Sequence, residues 1–222
     1  LLTALTTAQH QAAALMPTLP RYRAGLVGSV AAGCASLTEA LNSKPITTTS
    51  ATSANPAPSG GTPTLTGPTA TSTPGAALPA DTAAALQHAL SAENAALWLY
   101  GTASAFVTAG PEAELDAAMQ AVQNLRDATA ARLTAGQVTP QPAQPAYLVP
   151  RPVTDQPSAL AALAIAESDA TVAWRSVLEH TDDRGLRAAA LAALVDSAVR
   201  ETRWRRLSGQ SPASVAMPGE AA

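Results

Sequence analysis

Residues 86–100 most constrain what this chain can fold into. Leu86, Leu90, Leu97 and Tyr100 recur at helical spacing and mark one face of a helix. At the centre of that face, where another apolar side chain belongs, stands Glu93. A carboxylate on a buried stripe is costly unless it is paired, protonated or bound to a metal. Further along, Leu160, Leu163, Ala164, Ala170, Trp174 and Leu178 form a second stripe, and Glu167 lies within it. The chain therefore has to build a helical interior that accommodates two carboxylates.

Composition narrows the class. The 222 residues suffice for one or two domains. They are 47% hydrophobic but only 3% aromatic, with alanine supplying much of the difference, which favours closely packed helices. A net charge of -3 gives no global attraction to nucleic acid. The longest uncharged apolar run, residues 24–37, is shorter than the about 20 residues that span a bilayer. The sequence opens on Leu1 rather than Met, which leaves room for a leader or a membrane tether before it.

The single cysteine, Cys34, forbids an internal disulfide and does not set the redox compartment. Val30-Ala31-Ala32-Gly33-Cys34, with Arg21 and Arg23 upstream, has the look of a lipoprotein cleavage site, although signal segments do not usually follow a folded helix. The competing reading is helical. Leu26, Val30, Gly33, Leu37 and Leu41 repeat at helical spacing and predict a buried face, with Cys34 a small hydrophobe beside it.

Three regions are expected. Residues 1–42 form an antiparallel helical hairpin, with helices over 1–16 and 22–41 and a turn at Pro17 and Pro20. A lone hairpin cannot bury both faces, so it packs on the later helices or belongs to a larger N-terminal bundle. Residues 43–80 are a disordered linker of Thr, Ser, Pro, Gly and Ala with Lys44 as its only charge. Tethers of this composition are common on extracytoplasmic proteins, which predicts a place at the cell envelope.

Residues 81–222 carry four helices. The first is capped by Asp81 and runs to about 107; the second opens at Gly110-Pro111 and ends near 133, before Gly136. An extended segment with five prolines follows, at 140, 142, 145, 150 and 152. The third helix starts after Thr154 or Asp155 and runs to about 179; the fourth starts after Asp182 or Asp183 and runs to 207. Two antiparallel pairs joined by one long crossover between helices 2 and 3 predict an all-α, ferritin-like four-helix bundle.

Each helix of that bundle has an acid near its middle: Glu93, Asp127, Glu167 and Asp196. Such a set suggests a di-metal centre, but that site normally needs a Glu-x-x-His on two of the helices. The histidines, His10, His88 and His180, do not have that spacing. The favoured reading is an ion-pair network without a cofactor, in which Arg126, Arg200 or Arg203 neutralise Glu93 and Glu167, with Asp127 and Asp196 included. Two alternatives stay open. One is an iron or manganese site on Glu93, Glu167, Asp127 and Asp196; the other is a protonated or solvated carboxyl pair. Arg200, Arg203, Arg205 and Arg206 surround Trp204, and suit either the helix dipole and core acids or a surface for anionic lipid or another partner. No Ser/His/Asp or Cys/His arrangement and no P-loop stands out.

Three stretches carry a resemblance. LSAENAALWLYG at 90–101, PAYLVPRPVTD at 145–155 and DSAVRETRWR at 196–205 resemble an alanine-rich ferritin-like domain of unknown function from high-GC Gram-positive bacteria. The likeness runs from residue 81 to about 219. The stretch LVGSVAAGCASLTEAL in the N-terminal hairpin is similar to envelope lipoproteins in which such a domain follows another helical region. The resemblance implies a fold and an envelope location, and it implies no activity. Asn94 and Gln123 stand where family members often have histidine, which removes two potential metal ligands. The resulting expectation is a non-catalytic binding or assembly module with a protein or envelope partner, no nucleic acid, and a homodimer left open. A di-metal oxidase or storage protein and a small-molecule carrier are the alternatives.

Overall fold

The computed structural model describes residues 1–42, 76–108, 110–149 and 151–220. All regular structure in them is helical. The elements are α1 (Leu2–Leu15), a 3-10 turn (Met16–Thr18), α2 (Arg21–Asn42), α3 (Ala80–Ala103), α4 (Glu112–Ala135), α5 (Gln156–Glu179) and α6 (Arg184–Leu207). Residues 43–75 of the expected linker lie outside the described residues.

Helix ends follow local chemistry. The Asp155 carboxylate accepts the Ser158 N–H and the Ser158 hydroxyl accepts the Asp155 N–H, a reciprocal cap on α5. Asp183 accepts the Leu186 N–H at the start of α6, and Gly136 ends α4. Asp81 does not cap α3 as expected. It lies one residue inside the helix, after Ala80, where its carboxylate accepts the Thr82 N–H and pairs with Arg21 at 2.6 Å.

The helices stack in the order α4, α3, α5, α6, α2, α1, with α2 lying along both α6 and α5. The crossover between α4 and α5 is held against α3. The Gln87 side chain donates to the Thr139 carbonyl at 2.7 Å and accepts the Gln141 N–H at 3.0 Å. Tyr147 packs on Trp98, with ring centroids 6.2 Å apart. The apolar interior forms two lobes. One gathers Leu86, Leu90, Leu133, Trp174, Leu178 and Leu194 together with alanines of α1 and α2. The other gathers Leu99, Tyr100, Leu115, Val122, Leu160 and Trp204. Between them in sequence, on all four of α3–α6, lie Glu93, Thr129, Glu167 and Arg200.

The hairpin packs on the later helices as expected, but α2 turns a different face inward: of the expected face Gly33 is buried and Leu37 partly buried. α2 buries Ala24, Gly25, Gly28, Ser29, Ala32, Gly33 and Ser36, while Leu26, Val30 and Leu41 are 48%, 42% and 47% exposed. The reason is steric. A face of small residues lets the helix backbone approach closely. A Cβ on Gly28 would run into Leu178, and one on Gly33 into the Ala216 carbonyl. Cys34 is only partly buried, in the middle of α2. By length and composition α2, with mean hydropathy 1.4, could cross a membrane, yet half of its apolar window is packed inside the protein.

Polar contacts fix the hairpin in place. The C-terminal segment folds back along α2, where the Ser29 hydroxyl donates to the Pro218 carbonyl at 2.7 Å and the Val215 N–H donates to Ser36. Arg187, 3% exposed, donates to the carbonyls of Met16, Leu19 and Thr181 and to Asp182. Arg21 in turn bridges Asp182 and Asp81. One buried guanidinium thus ties the α1–α2 turn to the α5–α6 turn. Replacing it strands several carbonyls. Arg187→Ala is expected to lower stability by about 3 kcal/mol. Amide exchange should accelerate in residues 21–42 before the rest; an unchanged exchange pattern there would contradict the clamp.

Candidate functional site

The site is built from α3, α5 and α6, with α4 closing one side. Glu167 on α5 is fully buried. Arg200 on α6 grips it with two parallel bonds, Nε to Oε1 at 2.8 Å and Nη2 to Oε2 at 3.0 Å. The Tyr100 hydroxyl on α3 donates to Glu167 Oε1 at 2.6 Å and accepts from Trp204 Nε1 at 2.9 Å. Arg200 Nη2 also reaches the Ser197 hydroxyl at 3.1 Å. The planar fork of an arginine matches both carboxylate oxygens, so the pair is oriented as well as neutralised.

The electrostatics follow from this packing. Burial opposes the Arg200 charge, but the Glu167 charge and hydrogen bond, with a smaller contribution from Asp196, outweigh it and raise the guanidinium's pKa. Burial, followed by the neighbouring Glu167 charge, pushes the Tyr100 phenol well above its ordinary value. Tyr100 therefore stays a neutral donor to Glu167.

Glu93 on α3 is solved differently. It is 2% exposed and makes no ion pair among the described residues, which corrects the expectation that an arginine neutralises it. Thr129 on α4 donates to Oε1 at 3.1 Å. Among the described residues neither Oε2 nor the buried Trp174 Nε1 makes a hydrogen bond of good geometry, although the indole lies close enough to act on the carboxyl. Burial pushes the carboxyl from 4.5 to about 8, against the Thr129 hydrogen bond, the Arg126 and Arg200 charges and the Trp174 indole. The protonated alternative thus describes Glu93 at neutral pH.

The other expected members lie elsewhere. Arg126 turns to its neighbour Asp127 at 2.7 Å, with Asp127 62% exposed. Arg203 pairs with Glu39 of α2 at 3.2 Å. Asp196 points away from the bundle interior, toward the hairpin, and is exposed. These groups keep contact with water, which makes pairing at the surface cheaper than bringing a charge to Glu93. Trp204 is fully buried against Tyr100 and is not part of an exposed arginine surface. Sequence reasoning also missed Glu201, which is 2% exposed with Arg205 at 3.6 Å. Burial raises its carboxyl to about 7, with Arg205 opposing and Glu167 adding. Its spacing of four from Arg205 was the available signal. Nothing in the spacing pointed to Thr129 or to the Tyr100 hydroxyl.

The residues do not fit a di-metal centre. Both Glu167 oxygens are occupied by Arg200 and Tyr100, and Asp127 and Asp196 are on the outside. Among the described residues, no group of three or more His, Cys, Asp or Glu is placed to hold a metal ion.

A family described as a domain of unknown function, DUF4439, matches residues 85–222. The chain belongs to this family. The match takes in Glu93, Glu167 and Arg200 and leaves the α1–α2 hairpin outside. Among solved structures, the crystal structure of a conserved hypothetical protein, rv2844, from Mycobacterium tuberculosis is similar, with 33% identity and a TM-score of 0.57. The similarity covers 59% of this chain and 99% of that one. No curated protein matches.

Two outcomes test the site. A folded state that keeps Glu93 neutral binds a proton that the unfolded chain releases above its ordinary value. Stability from this source is whole below 4.5 and falls as pH rises to about 8. Urea denaturation of Glu93→Gln should show a gain over the parent of up to roughly 4 kcal/mol near pH 9 that shrinks to within about 1 kcal/mol near pH 4. Equal gains at both pH values would contradict a protonated Glu93. Tyr100→Phe leaves the Trp204 indole without an acceptor and is expected to cost about 1–3 kcal/mol in the same assay.

Proposed function

We propose that the chain is a non-catalytic, ferritin-like helical bundle that works as a binding or assembly module at the cell envelope. One observation carries the reading: the core acids are directed to internal partners. Glu167 is held from both sides by Arg200 and Tyr100, and Glu93 is neutralised by burial. Such groups specify how the helices pack, and neither Glu93 nor Glu167 is left as a free carboxylate to ligate a metal or serve as a base. Two antiparallel helix pairs with a long crossover support the ferritin-like description. The Thr/Ser/Pro-rich composition of residues 43–80 supports the envelope location. Anchoring through Cys34 is not part of this reading. Cleavage before it would remove the part of α2 that carries Arg21, Gly28 and Ser29.

A carrier role is the second reading, favoured by a groove of about 380 Å³ between the hairpin and α6. Metal analysis of protein purified without chelator tests the first. The expected result is substoichiometric iron and manganese, unchanged in Glu93→Gln and Glu167→Gln. Stoichiometric metal lost in either variant would overturn it in favour of a metal-dependent oxidase or storage protein.

A further inference from the structure

The groove between α1, α2 and α6 has an apolar wall of Met16, Ala31, Leu191 and Val195. Its volume, about 380 Å³, lies within the range of small-molecule sites. It continues into a second hollow of about 290 Å³, and Gln9, Val195 and Asp196 line both. Asp196 is thus the charged group at the junction. Among the described residues its carboxylate makes no hydrogen bond, and the opposite charge that acts on it is that of Arg200. Arg200, one turn further along α6, is committed to Glu167. Glu39, which lines the second hollow, is already paired with Arg203, so Asp196 is the group left to meet a ligand cation. A carboxylate at the edge of an apolar groove, whose nearest guanidinium is bound elsewhere, is stabilised by a cation that brings its own apolar body.

We propose that this groove binds a small alkylammonium ligand, with the ammonium on Asp196 and the hydrocarbon along Met16, Leu191 and Val195. This inference rests on the carrier reading and specifies its ligand class. The neighbouring groups agree with the polarity. Arg187 at the other end is buried and fully engaged by carbonyls and Asp182, so it does not compete for Asp196. Arg184, exposed at that same end, stands three helical turns away along α6.

Hexylammonium, hexanoate and hexanol are the probes, titrated into the full chain and followed by ligand-observed NMR. Hexylammonium is expected to bind with a Kd on the order of 1 mM, the scale for seven non-hydrogen atoms. Hexanoate should bind at least about tenfold more weakly, and Asp196→Asn should weaken hexylammonium by about tenfold while leaving hexanol unchanged. Ala188→Trp, at an exposed alanine of the wall, should abolish all binding without unfolding the bundle. Equal binding of the three probes, or an Asp196→Asn variant that binds hexylammonium as the parent does, would overturn the cation assignment while leaving a carrier of apolar ligands standing. No binding of any probe would overturn both.

Discussion

The grip of Arg200 on Glu167 is the interaction on which the rest of the bundle depends. It crosses from α6 to α5, and through Tyr100 and Trp204 it extends to α3 and back to α6. Apolar residues are grouped on either side of it along each helix, so the polar layer divides the interior into two lobes. Removing either partner would leave a buried charge, which typically costs about 3–5 kcal/mol. Interdigitated alanine stripes can slide past one another with little penalty. A bidentate pair cannot, so the layer fixes the register of helices that composition alone would leave underdetermined. Glu93 belongs to the same layer but contributes as a neutral acid. The two carboxyls meet one problem with two solutions, set by how close an unoccupied guanidinium can come.

The hairpin shows the same logic at its interface. α2 turns its glycines, alanines and serines inward because the backbone can then come within contact of Leu178 and the C-terminal segment. Large side chains could not be accommodated there and are left on the outside. The hairpin is not held by apolar burial alone. Arg187, Arg21 and the Ser29–Pro218 hydrogen bond supply the directional contacts that small side chains lack. This arrangement creates the groove over α6, because α1 reaches the bundle mainly through α2 and its turn.

Much of the fold is legible in the sequence because its signals are local. Asp155, Asp183 and Gly136 mark helix ends within a residue or two, and the prolines of the crossover exclude a helix there. Helical spacing also places Glu93 and Glu167 inside. Which arginine meets which acid is not local. Arg126, Arg200 and Arg203 look equivalent by spacing, and rotations of α4 and α6 that no single helix encodes send one to Asp127, one to Glu167 and one to Glu39. Periodicity puts Leu26, Val30 and Leu41 on the inner face of α2 because it ranks residues by hydrophobicity, whereas packing here ranks them by size and keeps Gly33 inside. Tyr100 counted as an apolar residue in the stripe, and its hydroxyl became visible only with Glu167 and Trp204 beside it.

The claim that the polar layer holds one neutral and one arginine-bound carboxyl can be tested directly at Glu93. The measurement is a carbon-13 NMR titration of its side-chain carboxyl, assigned by comparison with Glu93→Gln. The account predicts the chemical shift of a protonated acid at neutral pH and a midpoint near 8. A Glu93 carboxyl already ionised well below neutral pH would contradict it, and would mean that a cation has found the partnerless oxygen.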